Sequence, residues 1–264
     1  RRTDYATVYH LKISSLGSYR LFGYLSVPHG EGPFPGLYLP PRYGSVNHVP
    51  HPDDRRRFVT LQLMHRGQRL ADQPFAAAFP GLLTLGIDSP EGYIYRAILA
   101  DCLRGAEFLL AHPAVDKARV GMRGDDKALI VAALRPGFAA IDASGLLFYR
   151  AMEARLRSEA YPIEELNDYL RTYPEREAAV ARTLALFDPA AHAPRIASTT
   201  LLSVGDPGAV GGPEWLEPLA AALGGPVERY AVTHEGATDH DWLDAWLAGQ
   251  LGAEPRPRLW RIEA

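Results

Sequence analysis

Hydrophobic and polar positions alternate near the start of the chain and change to a helical spacing further on. Residues 7–13 and 20–27 alternate around the turn residues Ser15, Gly17 and Ser18. Because successive side chains of a strand point to opposite faces, this pattern predicts an antiparallel hairpin. Short apolar runs predict buried strands at 34–39, 58–64, 118–122, 139–143, 199–204 and 227–232.

Helical spacing fills the segments between these strands. Ile94, Ile98, Cys102 and Ala106 recur every fourth residue and predict a long helix over 91–111. Further helices are predicted at 127–134 and 238–251, the last with its tryptophans and leucines on one face, and two more at 152–186. Strands that alternate with helices indicate an α/β fold with a mostly parallel sheet covered on both sides. We expect one domain over 1–264, with a helical insertion at about 150–187.

Composition and charge exclude several classes of function. The net charge is -3 and the charges are interspersed, so no nucleic-acid or membrane surface is indicated. No apolar run approaches the roughly 18 residues of a membrane helix. Cys102 is the single cysteine, which excludes an intrachain disulfide and fits a reducing compartment. The polar start 1–4 lacks Met and is typical of a trimmed start rather than of a signal peptide.

Several motifs follow one another in a characteristic order. They are Arg66-Gly67-Gln68, the tyrosine- and arginine-rich helix start at 92–96, and His234-Glu235. Over about residues 9–251 the chain resembles the acetylxylan esterase and cephalosporin-C deacetylase family. The resemblance implies an α/β-hydrolase fold, small-molecule esters as substrates, no cofactor, a cytoplasmic location and a ring-like homo-oligomer.

The family places a nucleophilic serine in Gly-x-Ser-x-Gly, on a tight turn from a strand into a helix. The corresponding residues 124–128 here are Gly-Asp-Asp-Lys-Ala. Asp126 therefore stands at the serine position and Lys127 at the following glutamine. The serine mechanism needs a hydroxyl whose proton passes to a histidine, and an aspartate has none.

The resemblance assigns the other site residues. His234 is the predicted base, and Asp206 lies two residues before the position of the family's acid at Gly208, so it would need a rebuilt loop. Backbone N–H groups of Tyr43 and Lys127 are the predicted oxyanion donors. The predicted structural residues are Arg66, Gly67, Gln68 and Glu235. No metal site is predicted, because residues 239–241 lack the spacing of zinc or calcium ligands and fit a helix start capped by Asp239.

Three functional hypotheses remain open at this stage. In the first, esterase activity is lost or strongly reduced, and Asp126 only caps the next helix, a role worth about 1 kcal/mol of stability. Alternatively, Asp126 attacks an sp3 carbon, as in haloalkane dehalogenases and epoxide hydrolases, or His234 activates water against small acetyl esters. A non-catalytic binding or scaffold protein is the competing class.

Overall fold

The structure is a computed structural model that describes residues 1–44, 48–205, 210 and 212–257. Its strands are β1 (Ala6–Ser14), β2 (Arg20–Pro28), β3 (Phe34–Leu39), β4 (Val59–Leu63), β5 (Val115–Gly124), β6 (Ala140–Ala143), β7 (Thr199–Val204) and β8 (Val227–Ala231). They form one sheet in the order β1-β2-β4-β3-β5-β6-β7-β8. β1, β2 and β4 pair antiparallel, and the pairs from β4 to β8 are parallel. The predicted mostly parallel sheet with an antiparallel entry is confirmed.

Helices flank this sheet. They are α1 (Pro52–Arg57), α2 (Ile94–Ala111), α3 (Asp126–Leu134), α4 (Ala151–Ala154), α5 (Glu164–Thr172), α6 (Glu177–Ala185), α7 (Pro213–Ala222) and α8 (Gly236–Gln250). The segment 150–187 thus holds three helices where two were predicted. The additional helix, α4, is a single turn and is too short to show a helical spacing in the sequence. The sequence pattern missed α1, which is mostly charged, and α7, in which Pro213 and Pro218 obscure the helical spacing. None of the described helices is both long and apolar enough to cross a membrane.

Two helices show how the apolar pattern is buried. On α2, Ile98, Cys102 and Ala106 have no exposed surface, as the spacing predicts. On α8, Leu247 packs into a second apolar cluster with Leu37, Phe58, Ala140 and Leu251. Trp242 departs from the predicted packing face, since it is 38% exposed and stacks on Tyr230 with ring centroids 4.1 Å apart.

The parallel strands end at one edge of the sheet, where ligands bind in open α/β folds. The loop after β3 carries Arg42 and Tyr43, and the loop after β8 carries His234. Asp125 follows β5 directly, and residues 144–149 follow β6. This edge therefore gathers the predicted site residues that the structure describes.

Candidate functional site

The turn from β5 into α3 consists of Asp125, between the last strand residue Gly124 and the first helical residue Asp126. The Asp125 carboxylate caps the helix, because its Oδ1 accepts from the backbone N–H of Lys127 at 3.0 Å. Its Oδ2 accepts from the Lys127 Nζ at 2.6 Å. The turn residue is thus an aspartate whose two oxygens are both bound within the protein.

Asp126 lies one step further along the chain and is fully buried. Its carboxylate accepts from the backbone N–H groups of Leu147 and Tyr149, the latter at 3.0 Å. Burial raises the pKa of Asp126 to about 7, and the charge of Asp125 adds to this rise. Asp126 therefore ties the start of α3 to the loop that follows β6.

The structure differs here from the sequence prediction. The family pattern placed Asp126 at the turn with a helix from residue 127, whereas α3 begins one residue earlier, at Asp126. Asp125 is therefore both the cap and the turn residue, and Asp125, not Asp126, lines a cavity at the sheet edge.

Lys127 is 2% exposed. A buried ammonium requires a partner, which Asp125 supplies, and its Nζ also lies 5.8 Å from the ring centroid of Tyr95. Lys127 was predicted to offer its backbone N–H to an oxyanion. In the structure that N–H donates to the Asp125 side chain, so the cap would have to open before it could bind a ligand oxygen.

The elbow pocket, as we name the cavity beside this turn, has a volume of about 270 Å³. It is lined by residues 42–44, Asp125, 145–147, Ala154, 160–163 and Val210. Apolar side chains form most of this lining, with one carboxylate and one guanidinium among them. Small-molecule sites commonly combine apolar walls with a few polar groups in this way.

Tyr43, the other predicted oxyanion residue, lines the elbow pocket and is held by its side chain. Its hydroxyl donates to Oε1 of Glu165 on α5, and Oε2 of Glu165 accepts from the backbone N–H of Leu83 at 2.8 Å. Glu165 is 2% exposed, and burial raises its pKa. Gly81 leaves room for this carboxylate, because a Cβ there would lie 2.3 Å from it. Sequence reasoning missed Glu165, which lies within the helical insertion predicted at about 150–187.

His234 lines a different cavity, of about 640 Å³, together with Arg123, Asp142 and Arg256. Its imidazole is exposed, and its backbone has a positive φ of 65°. Arg42 borders both cavities, whereas Asp125 belongs to the lining of the elbow pocket and His234 to that of the larger one. Asp206, the predicted acid, lies outside the described residues.

The residues of the Arg-Gly-Gln motif make structural contacts. Arg66 forms a two-pronged ion pair with the buried Asp101, at 3.0 Å from Nε and 2.7 Å from Nη2. Gln68 accepts from the backbone N–H of His65 at 2.8 Å and donates to the carbonyl of Gly44. The motif thereby supports the loop that carries Tyr43.

The start of α8 is a polar network. Glu235 precedes the helix and accepts from the Thr238 hydroxyl at 3.2 Å. Asp239, predicted to cap this helix, lies inside it, because α8 begins at Gly236. Its carboxylate accepts from the hydroxyl of Tyr230 at 2.7 Å and from the backbone N–H of Thr233 at 2.9 Å. Within the described part of the chain, no group of three or more His, Cys, Asp or Glu residues could hold a metal ion.

Comparisons with known proteins add the family relationships. A family model described as acetyl xylan esterase (AXE1) matches residues 1–215. The acetyl esterase Axe7A of Xylanibacter ruminicola is 27% identical over 151 residues, which are 51% of this chain and 34% of that protein. The matched part of the chain therefore spans about a third of the length of this curated relative.

Solved structures show the same architecture. An acetyl xylan esterase from Paenibacillus sp. R4 has a TM-score of 0.80 and 23% identity, covering 96% of this chain and 86% of that one. Acetyl xylan esterase 1 from Thermoanaerobacterium sp. JW/SL YS485 has a TM-score of 0.76 and 20% identity, covering 92% and 84%. These likenesses bear on the fold and confirm the predicted α/β-hydrolase architecture.

Proposed function

This chain belongs to the acetyl xylan esterase family, and we propose that it binds a small ester or related ligand in the elbow pocket with ester hydrolysis lost or strongly reduced. The observation that carries this proposal is the Asp125–Lys127 pair at the turn. Asp126 stands at the serine position and is buried, and the neighbouring carboxylate of Asp125 is held by Lys127, so the turn offers no free hydroxyl for the serine mechanism.

The chemistry of the turn supports reduced hydrolysis. A serine passes its proton to a base and forms a stable acyl ester, whereas a carboxylate that attacks an acyl carbon forms a mixed anhydride of high energy. The predicted oxyanion donor of Lys127 is also engaged by Asp125, which removes stabilisation that is worth about 10²–10³-fold in rate where it has been measured. The pocket itself needs no nucleophile to bind a ligand.

The alternative is an active hydrolase in which an aspartate attacks an sp3 carbon. The new carbon–oxygen bond displaces a leaving group with its electron pair, and water then cleaves the resulting ester. Asp125 is the residue to test, because it lines the elbow pocket, whereas Asp126 has no exposed surface. Water activation by His234 is less favoured, since His234 lines the other cavity.

The decisive experiment compares wild type with Asp125→Asn, which keeps an acceptor for Lys127 and removes the carboxylate. We expect wild type and variant to hydrolyse p-nitrophenyl acetate and a small haloalkane at rates within a few-fold of each other. A wild-type rate that falls by a hundredfold or more in Asp125→Asn would show that the carboxylate is a nucleophile and would overturn the proposal.

A second pair of variants tests whether the pocket still accepts an ester. Asp125→Ser/Lys127→Gln replaces the buried ion pair with a hydroxyl and an amide, and Asp125→Ala/Lys127→Gln is its matched control. If the pocket binds esters, the serine variant exceeds its control in p-nitrophenyl acetate hydrolysis. Equal rates in the two, with both proteins folded, would contradict ester binding beside the turn.

A further inference from the structure

Arg42 is a cation without a charged partner in the described part of the chain. Its Nη2 donates to the neutral hydroxyl of Ser144 at 3.1 Å. Other arginines at this edge are paired: Arg123 with Asp142 at 2.8 Å and Arg256 with Asp241 at 2.8 Å. A guanidinium cannot lose its proton at ordinary pH and favours planar, two-pronged binding of carboxylates.

The described lining of the elbow pocket carries one unit of net positive charge. Among the described residues of its lining, the charged side chains are Arg42 and Asp125. Lys127 lies 2.6 Å from Asp125 and neutralises it. Among these described residues the guanidinium of Arg42 is therefore the net charge that a ligand meets, which favours a monoanion.

The apolar residues of the lining determine which kind of group can accompany the negative charge of the ligand. Leu146, Leu147, Ile163 and Val210 present aliphatic surface, which favours an apolar group over a hydrated one. The volume of about 270 Å³ is below the roughly 300–1,000 Å³ of drug-sized sites. A small acid with an aromatic ring or a short alkyl chain fits these dimensions.

We propose that the elbow pocket binds a small monocarboxylate, with the carboxylate on the guanidinium of Arg42 and the apolar body against the aliphatic wall. This inference rests on the proposed function, because it assumes that the pocket binds a ligand, and it names the class of that ligand. Arg42 also borders the larger cavity. That cavity is a poorer place for such an acid, because Arg123 and Arg256 are already paired there. Its described lining also carries four carboxylates, those of Asp54, Asp142, Asp239 and Asp244.

Isothermal titration calorimetry with benzoate and benzamide tests the inference. The two probes share a ring and differ in charge, so an ion pair with Arg42 predicts that benzoate binds wild type more tightly. In Arg42→Gln we expect benzoate affinity to fall by about 3- to 10-fold, because Arg42 is exposed and water screens its charge. Benzamide affinity changes little, and Arg42→Lys restores part of the benzoate affinity because it keeps the charge.

The matched control is Arg96→Gln, because Arg96 is exposed on α2 and lines a different surface depression. This variant should bind benzoate as wild type does. Benzoate that binds no more tightly than benzamide, or equally well in Arg42→Gln, would overturn the inference. The hydrolysis assays above test the proposed function separately. If the protein hydrolyses the substrates and benzoate binding depends on Arg42, only the proposed loss of hydrolysis is rejected. If the protein does not hydrolyse them and does not bind benzoate, only this inference is rejected.

Discussion

The Nζ of Lys127 lies 2.6 Å from Oδ2 of Asp125, and the backbone N–H of the same lysine donates to Oδ1 at 3.0 Å. Both side chains are nearly inaccessible, with Asp125 at 6% and Lys127 at 2% exposure. Asp125 and Lys127, two positions apart in sequence, are thus joined by two hydrogen bonds that close a ring at the turn. This ring places an internal ion pair directly beside the serine position at Asp126, and it also sets the first turn of α3.

Breaking this pair from one side should destabilise the protein. Lys127→Met leaves the Asp125 carboxylate buried with one partner fewer, and removal of one member of a buried ion pair costs roughly 3–5 kcal/mol. Asp125→Asn/Lys127→Met leaves neither position of the pair charged and should cost less than the single lysine variant. Urea denaturation of wild type, both single variants and the double variant gives the coupling free energy. A coupling near zero would contradict the ion pair.

The tether between Tyr43 and Glu165 should order the loop after β3. Tyr43→Phe removes the donor and leaves Oε1 of the buried Glu165 without its partner, which costs about 1–3 kcal/mol of stability. Faster amide hydrogen exchange over residues 40–44 is expected in the variant.

Tyr161→Phe is the matched control for this tether. Its hydroxyl donates to Asp168 at 2.6 Å, but Tyr161 is 63% exposed, so water can replace the lost bond. Its stability and the exchange of residues 40–44 should stay close to those of wild type. Equal losses in the two variants would argue against a specific role of the Glu165 tether.

Asp126 should make stability depend on pH near neutrality. Its folded-state pKa of about 7 lies above the ordinary value of 3.8, so the folded protein binds more protons than the unfolded chain between these values. This contribution to the free energy of unfolding is therefore fully present below about pH 4 and is lost as pH rises through 7. Asp126→Asn should remove this slope.

Urea denaturation of wild type and Asp126→Asn at pH 5, 6, 7 and 8 gives the free energy of unfolding of each protein. The difference between the two free energies at each pH measures the effect of Asp126. His65 acts in the opposite direction, because burial lowers its pKa to about 4 and its contribution is lost as pH falls from about 6.5. It is present in both proteins and cancels in the difference. A wild-type-minus-variant difference that does not change between pH 5 and 8 would refute the raised pKa.

The sequence predicts the sheet well and the turn poorly, for physical reasons. The ranges predicted for β3 and β7 agree with the structure, because continuous apolar runs between turn residues leave few alternatives. Asp125 and Asp126 are both able to cap a helix, and the choice depends on where the first helical hydrogen bond forms, from Ala128 N–H to the Asp125 carbonyl at 2.8 Å.

Contacts between distant parts of the chain are the other limit. Glu165 is 122 positions from Tyr43, and no local pattern predicts that the two meet. The separate cavities of Asp125 and His234 likewise follow from the packing of loops after β5 and β8. Motif order predicts the family, but the arrangement of charges around the turn follows from the three-dimensional structure.

Gly67 provides a test of why the Arg-Gly-Gln motif requires glycine. Its φ is 83°, and a Cβ there would lie 2.4 Å from the ring of Phe75. Gly17 has a similar φ of 70° with nothing within 4 Å of a Cβ. Gly17→Ala should therefore cost only the backbone penalty of about 1–2 kcal/mol, whereas Gly67→Ala adds the displacement of Phe75.

The difference between these two variants isolates packing from backbone strain. Phe75 is 41% exposed, and its backbone N–H donates to the Gly67 carbonyl at 3.0 Å, so a Cβ at residue 67 forces the ring to turn aside while the backbone of Phe75 stays tied to the same segment. Gln68, the next residue, holds the carbonyl of Gly44, so displacement of this segment should also weaken ligand binding in the elbow pocket. Thermal denaturation and benzoate titration of both alanine variants measure the two effects. Equal destabilisation by Gly17→Ala and Gly67→Ala would show that Phe75 moves aside freely and that backbone conformation alone requires the glycine.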